Sequence, residues 1–94
     1  MNLTVTDILD ATGGALAQGT ADVRITGVST DSRSTEAGDL FVAIEGEKFD
    51  GHNYVQTARE RGAAAALVSR WDLAGVEGMP LIVVSDTTVG YGKL

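Results

Sequence analysis

Ninety-four residues hold one domain with a single core, too little chain for an enzyme that must bind and join two large substrates. A hydrophobic share of 44% with only 5% aromatic residues excludes a disordered chain and predicts a core of Val, Ile, Leu and Ala. The net charge of −6 argues against the basic surface that nonspecific nucleic-acid binding requires, and the lack of cysteine removes disulfides and thiol chemistry, which suits a cytoplasmic protein.

The first residues carry no basic-then-apolar leader pattern, and no run approaches the roughly 18 apolar residues of a membrane span. Thr6, followed by Asp7-Ile8-Leu9-Asp10-Ala11, predicts a short capped helix that Gly13-Gly14 stops. Val23 and Ile25 alternate with polar neighbours as a strand does, and Val28 breaks that phase just after Gly27, which predicts a bulge there. Leu40 to Ile44, Ala64 to Val68 and Leu81 to Val84 are short continuous apolar runs, the pattern of strands covered on both faces. Asn53 is placed to cap a helix through about Arg61, with Tyr54, Val55 and Ala58 turned inward and Gly62 as the stop. Leu40 to Val68 then forms a βαβ unit. Trp71 to Pro80, with Gly75 and Gly78, is the longest irregular connection. Thr87 or Thr88 starts a last helix, in which Gly90 and Gly92 each cost about 1 kcal/mol relative to Ala. A helix that short is marginal alone, so the end reads as cut from a longer chain. A layered α/β domain follows.

The chemistry gathers in residues 30–52, where two polar loops flank one apolar strand and each loop holds one cation, Arg33 and Lys48. The first loop offers the Thr30 and Ser32 hydroxyls, backbone amides and the Arg33 guanidinium, a set suited to a uracil edge and a phosphate. The same residues also suit a plain polar strand end with an Asx or Ser/Thr turn at Asp31 and Ser32. If the Leu40 to Ile44 strand runs parallel to the one before it, both loops lie at the sheet edge where open α/β folds bind ligands. Lys48 would then meet a phosphate, in a charge-assisted bond worth about 1.5–3 kcal/mol. Phe49 either packs on a base or ribose or belongs to the core, and Asp50-Gly51 is a tight corner. The helix opening near Asn53 would add its positive end.

His52 is the one histidine; no second His or Cys completes a metal set, and the residue reads as a structural hydrogen-bonding group. Asp31, Asp39, Glu47 and Asp50 lack the base partner or phosphate loop that a paired-carboxylate or Mg²⁺ site needs, so they read as solvated acids. Neither a catalytic nor a metal-binding residue is assigned. Gly90-Tyr91-Gly92-Lys93-Leu94 is not a P-loop, because Thr87 stands where that motif needs Gly and Leu94 where it needs Ser or Thr.

Two segments carry a family resemblance. Ser29-Thr30-Asp31-Ser32-Arg33 with Gly38-Asp39-Leu40-Phe41-Val42-Ala43, and Gly46-Glu47-Lys48-Phe49-Asp50-Gly51-His52 with Ala58 and Gly62-Ala63 downstream, resemble the N-terminal domain of the Mur ligases, ATP-dependent amino-acid ligases of peptidoglycan synthesis. The similarity runs from about Leu3 to Val89. Its Phe-Asp-Gly-His run is most similar to the MurF branch, which adds D-alanyl-D-alanine to UDP-N-acetylmuramoyl-tripeptide. The MurE branch, second, tends to have His and another residue where this chain has Glu47 and Lys48.

The resemblance implies a small layered α/β domain with a mixed sheet of about four to five strands and two main helices. Residues 1–88 would form a UDP-binding domain, and residues 89–94 the start of a connection to an ATP-binding central domain. Thr30, Ser32, Arg33, Lys48, Phe49 and Asp50 would bind the UDP substrate, with Thr30 and Ser32 at the uridine. The implied partners are a UDP-N-acetylmuramoyl-peptide and the remaining ligase domains, with neither nucleic acid nor membrane. ATP and Mg²⁺ would bind in those other domains and no cofactor in this one, which by itself would have no ligase or ATPase activity. A different class stays open: a module that binds another protein through an apolar face, since two-sided apolar strands with few helices require a covering partner.

Overall fold

The computed structural model describes residues 2–94. Its first helix, α1 (Val5–Thr12), starts where Thr4 and Asp7 exchange two bonds. The Thr4 amide donates to Asp7 Oδ2 at 2.8 Å and the Asp7 amide to Thr4 Oγ1 at 3.3 Å. The cap is therefore Thr4 and not Thr6, because the reciprocal box needs its acid three residues after the hydroxyl. Gly13, at φ 71°, ends the helix as expected.

Three strands were expected from apolar runs, and all three form: β5 (Asp39–Val42), β6 (Ala65–Val68) and β7 (Leu81–Val83). With β2 (Ala15–Gln18) and β4 (Gly27–Ser29) they make a five-stranded mixed sheet in the order β2-β7-β6-β5-β4. β4, β5, β6 and β7 run parallel, and β2 pairs antiparallel at the β7 edge. The expected bulge at Gly27 is instead a change of sheet. β3 (Arg24–Ile25) pairs with β1 (Leu3–Thr4) in a separate two-stranded ribbon, and after Thr26 the chain enters the main sheet as β4. Ile25 and Val28 thus answer to different sheets, which is why one alternation cannot span them. β2 carried no strand signal, since Ala-Leu-Ala-Gln has neither β-branched residues nor strong alternation.

Successive residues of a strand face opposite sides, and the core divides accordingly. Phe41, Ala43, Ala66, Val68 and Leu81 pack with Val55 and Ala58 of α2 (Val55–Glu60) on one face. Leu40, Val42, Ala65, Leu67 and Ile82 pack with Val5 and Ile8 of α1 and with Ile25 on the other. Each fully buried Leu, Ile, Val or Phe contributes roughly 1.5–3 kcal/mol. Both faces of β5 and β6 are therefore covered from within the chain, so their two-sided apolar character no longer argues for an outside partner.

A 3₁₀ turn (Gly51–Tyr54) precedes α2, so the helix starts later than Asn53 and its first turn is tighter than expected. The last helix, α3 (Thr87–Gly92), does start at Thr87, capped by Asp86, whose Oδ1 accepts from the Thr88 and Val89 amides. Thr87 Oγ1 donates to the Ala43 carbonyl at 2.6 Å and ties α3 to the end of β5. Gly90 costs helix propensity, but a Cβ there would lie 3.2 Å from Leu67 Cδ2. Its absence lets α3 sit against β6. Among the described residues no helix is long and apolar enough to cross a membrane.

Candidate functional site

Because β4 and β5 are parallel, the loops that follow them leave from the same edge of the sheet, the arrangement on which the sequence reading depended. Between them lies a cavity of about 560 Å³ lined by Thr30, Asp31, Ser32, Arg33, Phe49 and Tyr54.

The first loop is built from its own polar groups. Asp31 Oδ1 accepts from the Arg33 amide at 2.9 Å, an Asx turn. The Asp31 carbonyl accepts from the Ser34 amide at 3.1 Å and from Thr35 Oγ1 at 3.1 Å. Ser29 Oγ and Thr35 Oγ1 lie 2.9 Å apart. Arg33 closes a two-pronged pair on the same carboxylate, with Nε 3.0 Å from Oδ1 and Nη2 2.7 Å from Oδ2. Hydrogen bonds from the Arg33 side chain and amide hold the Asp31 pKa down at about 2, and the carboxylate in turn raises that of Arg33. The site alternative and the turn alternative are thus both realised in one loop. The Arg33 charge is already balanced by Asp31, which leaves the cavity nearly neutral on this side.

Across the cavity Phe49 is 47% exposed and Tyr54 41%. Their rings stack with centroids 5.4 Å apart and planes 9° from parallel. Phe49 is therefore not a core residue. Tyr54, expected to turn inward, points out of the 3₁₀ turn and lines the cavity instead. It was missed because α-helical spacing placed it beside Val55 and Ala58, and nothing in the residue order announces a 3₁₀ turn.

Thr30, Ser32, Arg33 and Phe49 are brought together around this cavity, with Ser32 only 7% exposed. Lys48 and Asp50 do not line it. Lys48 is exposed, while the Asp50 carboxylate turns the other way, to His52 and Arg70. Asp50 Oδ1 also accepts the His52 amide at 2.9 Å. The opening turn near Asn53 thus spends an amide on its own cap, and it offers no free positive end to a ligand.

His52 is 3% exposed and fully bonded. The Ser69 amide lies 2.9 Å from Nε2; an amide can only donate, so Nε2 carries no proton and Nδ1–H donates to Asp50 Oδ1 at 2.7 Å. Arg70 Nη1 donates to Asp50 Oδ2 at 3.0 Å, and Ser69 Oγ donates to Glu45 Oε1 at 2.7 Å. Burial pushes the Asp50 pKa up, but the bonds from the His52 amide and imidazole and from Arg70 outweigh it and leave it lowered. The order Asp50, His52, Ser69 imitates a catalytic triad, and its bonds rule that chemistry out. The Nε2 lone pair that would take a proton is filled by the Ser69 amide, and the Ser69 hydroxyl proton is committed to Glu45.

Glu45, Asp50 and His52 also present one ligand atom each within 4.8 Å of one another, a grouping that the sequence reading did not single out. Each of those atoms already has a protein partner, and the Arg70 guanidinium supplies the positive charge that a metal would bring. The acids weighed from sequence do not assemble. Asp31 serves Arg33, Asp39 accepts from the Glu36 amide at 2.9 Å, and Asp50 serves His52.

A comparison with known families matches residues 24–88 to the Mur ligase family, catalytic domain. That span contains both cavity loops and all four parallel strands. The chain belongs to the Mur ligase family. It is 39% identical over 95 aligned positions to the UDP-N-acetylmuramoyl-tripeptide–D-alanyl-D-alanine ligase of Escherichia coli, covering 100% of this chain and 20% of that protein. It is 43% identical over 75 positions to the UDP-N-acetylmuramoyl-L-alanyl-D-glutamate–2,6-diaminopimelate ligase of Bacteroides fragilis, covering 80% of this chain and 16% of the relative. Among solved structures it superposes on MurF from Acinetobacter baumannii with a TM-score of 0.88 and 34% identity, over 100% of this chain and 20% of that one. The chain thus spans about a fifth of the Mur ligases it matches, and the layered fold is that of a Mur ligase N-terminal domain, with both MurF and MurE among its relatives.

Proposed function

We propose that residues 1–88 are the substrate-anchoring domain of a MurF-type peptidoglycan-precursor ligase in the cytoplasm, with residues 89–94 leading towards its ATP-binding domain. The cavity at the sheet edge takes the uridine end of UDP-N-acetylmuramoyl-tripeptide. The observation that carries this reading is the cavity itself: a stacked Phe49–Tyr54 pair on one side and the Thr30 and Ser32 hydroxyls with a neutralised Arg33 on the other. Such walls suit a flat, polar-edged, uncharged base, for which ring stacking is worth about 1–3 kcal/mol. Holding the nucleotide end would place the distant peptide carboxylate at chemistry carried out by the other domains, so that binding energy from a non-reacting group serves orientation.

The described residues fit no ATP site. Gly90 to Lys93 lie in and just after α3, where the Gly90 amide bonds to the Asp86 carbonyl and the Lys93 amide to that of Gly90, so they form no phosphate cradle. ATP and Mg²⁺ belong to the rest of the ligase, and the domain alone is expected to be inactive. Full-length similarity to the E. coli tripeptide ligase favours the MurF assignment; the higher identity to the B. fragilis relative over a shorter span supports a MurE-type ligase as the second reading.

An amide-shift NMR titration with UDP-N-acetylmuramoyl-tripeptide, UDP and ATP tests the anchoring role. Shifts at residues 29–33, 49 and 54 with both UDP compounds and not with ATP are expected. Shifts elsewhere, or equal shifts with ATP, would overturn it. Addition of D-alanyl-D-alanine or of diaminopimelate by a ligase carrying this domain separates the two branches.

A further inference from the structure

We infer that His52 is a positioning residue for the cavity, one buried imidazole that sets the place of both aromatic rings; the inference rests on the uridine reading of that cavity. Three observations lead to it. First, His52 is held from two directions, by the Ser69 amide at the end of β6 and by the Asp50 carboxylate in the loop after β5. The imidazole thereby joins two segments whose strands are neighbours in the sheet.

Second, Asp50 directly follows Phe49, and adjacent Cα atoms are about 3.8 Å apart across a trans peptide, so a displaced Asp50 carries Phe49 with it. Asp50 is gripped at both oxygens, Oδ1 by the His52 amide and imidazole and Oδ2 by Arg70. Across the base of the loop Glu45 pairs with Asp50, and Glu45 itself accepts from Ser69 Oγ. The loop's other bonds, such as Gly46 amide to Phe49 carbonyl at 2.6 Å, shape it internally and do not fix it to the sheet.

Third, His52 and Tyr54 share one 3₁₀ turn. With three residues per turn, positions two apart point to different faces, so an imidazole driven into the protein leaves the phenol facing out. That is the observed pair, 3% against 41% exposed. One anchor thus fixes Phe49 through Asp50 and Tyr54 through the turn, and sets the 5.4 Å stack between them. None of these atoms needs to touch the nucleotide.

The test uses the 94-residue chain with His52→Ala, His52→Asn and Arg70→Ala, read by ring-to-ring NOEs between Phe49 and Tyr54 without ligand and by the Kd for UDP. His52→Ala is expected to lose the NOEs and to raise Kd at least about tenfold. His52→Asn keeps an N–H for Asp50 and should restore the NOEs and most of the affinity, while Arg70→Ala should raise Kd about threefold with native circular dichroism. Should His52→Ala not fold, unchanged NOEs and Kd in both of the other variants overturn the inference. It is equally overturned if a folded His52→Ala keeps the ring contacts. Lost ring contacts in a wild-type background that binds no UDP would uphold the positioning role and refute the uridine reading.

Discussion

The two loops that form the cavity are held by opposite means. Residues 30–35 fold on themselves: Asp31 bonds Arg33, Ser34 and Thr35, all within four residues. Residues 45–52 are held from a distance, with His52 bonded to Ser69 seventeen positions on, Arg70 to Asp50 across twenty and Ser69 to Glu45 across twenty-four. A locally bonded loop has its shape written into its composition, whereas a distantly bonded one acquires its shape only when the sheet brings its partners to it. The cavity therefore joins a wall formed early in the chain's own chemistry to a wall that depends on the finished fold.

The largest expected effect breaks the second wall. His52→Ala leaves the buried Ser69 amide without an acceptor and Asp50 without its imidazole donor, and should lower unfolding stability in urea by about 2–4 kcal/mol. A loss below about 1 kcal/mol would mean that the long-range bonds do not hold this loop.

Gly62→Ala tests whether the first loop is as self-sufficient as its bonds suggest. Gly62, at φ 108°, accepts the Gly38 amide, and a Cβ there would lie 2.9 Å from Ala37 Cα. A stability loss of about 1–3 kcal/mol is expected from the forced backbone shift. If the Asp31–Arg33 pair survives that loss, with Asp31 still titrating at about 2, the near half of the loop folds independently of its return leg.

Phe49→Ala should act on affinity and spare stability, since the ring is 47% exposed. Kd for UDP should rise roughly tenfold, the value of one lost stacking partner, with the urea midpoint unmoved. The reverse pattern would return Phe49 to the core.

The smallest effect falls on the exposed Asp31–Arg33 pair. Its folded pKa of about 2 lies below the ordinary 3.8, so the pair's contribution is complete above about pH 4 and disappears as pH falls towards 2. Arg33→Ala should return the Asp31 midpoint in carboxyl NMR to near 3.8 while leaving the neutral-pH unfolding midpoint unchanged. Asp50 is also lowered, and its stabilisation is lost in the same acid direction, but there protonation loosens the bonds to His52 and Arg70. Acid should therefore disperse the Phe49 and Tyr54 resonances before those of Ser34 and Thr35.

What composition and order determined is what short-range physics decides. Apolar runs of four or five residues with no polar break can only be strands covered twice, and β5, β6 and β7 followed. Asp31-Ser32-Arg33 has the spacing of an Asx turn and forms one, and Asp7 three residues after Thr4 makes a capping box that the same reading placed two residues late. The tertiary structure decided the rest, because it depended on partners far along the chain. The change of sheet at Thr26, the antiparallel edge strand β2, the outward turn of Tyr54 and the use of Asp50 to seat His52 each arise from pairing across the fold. No local pattern encodes which distant residue will arrive to satisfy a buried imidazole, so the residue that sets the cavity's far wall could be named from the sequence while its task could not.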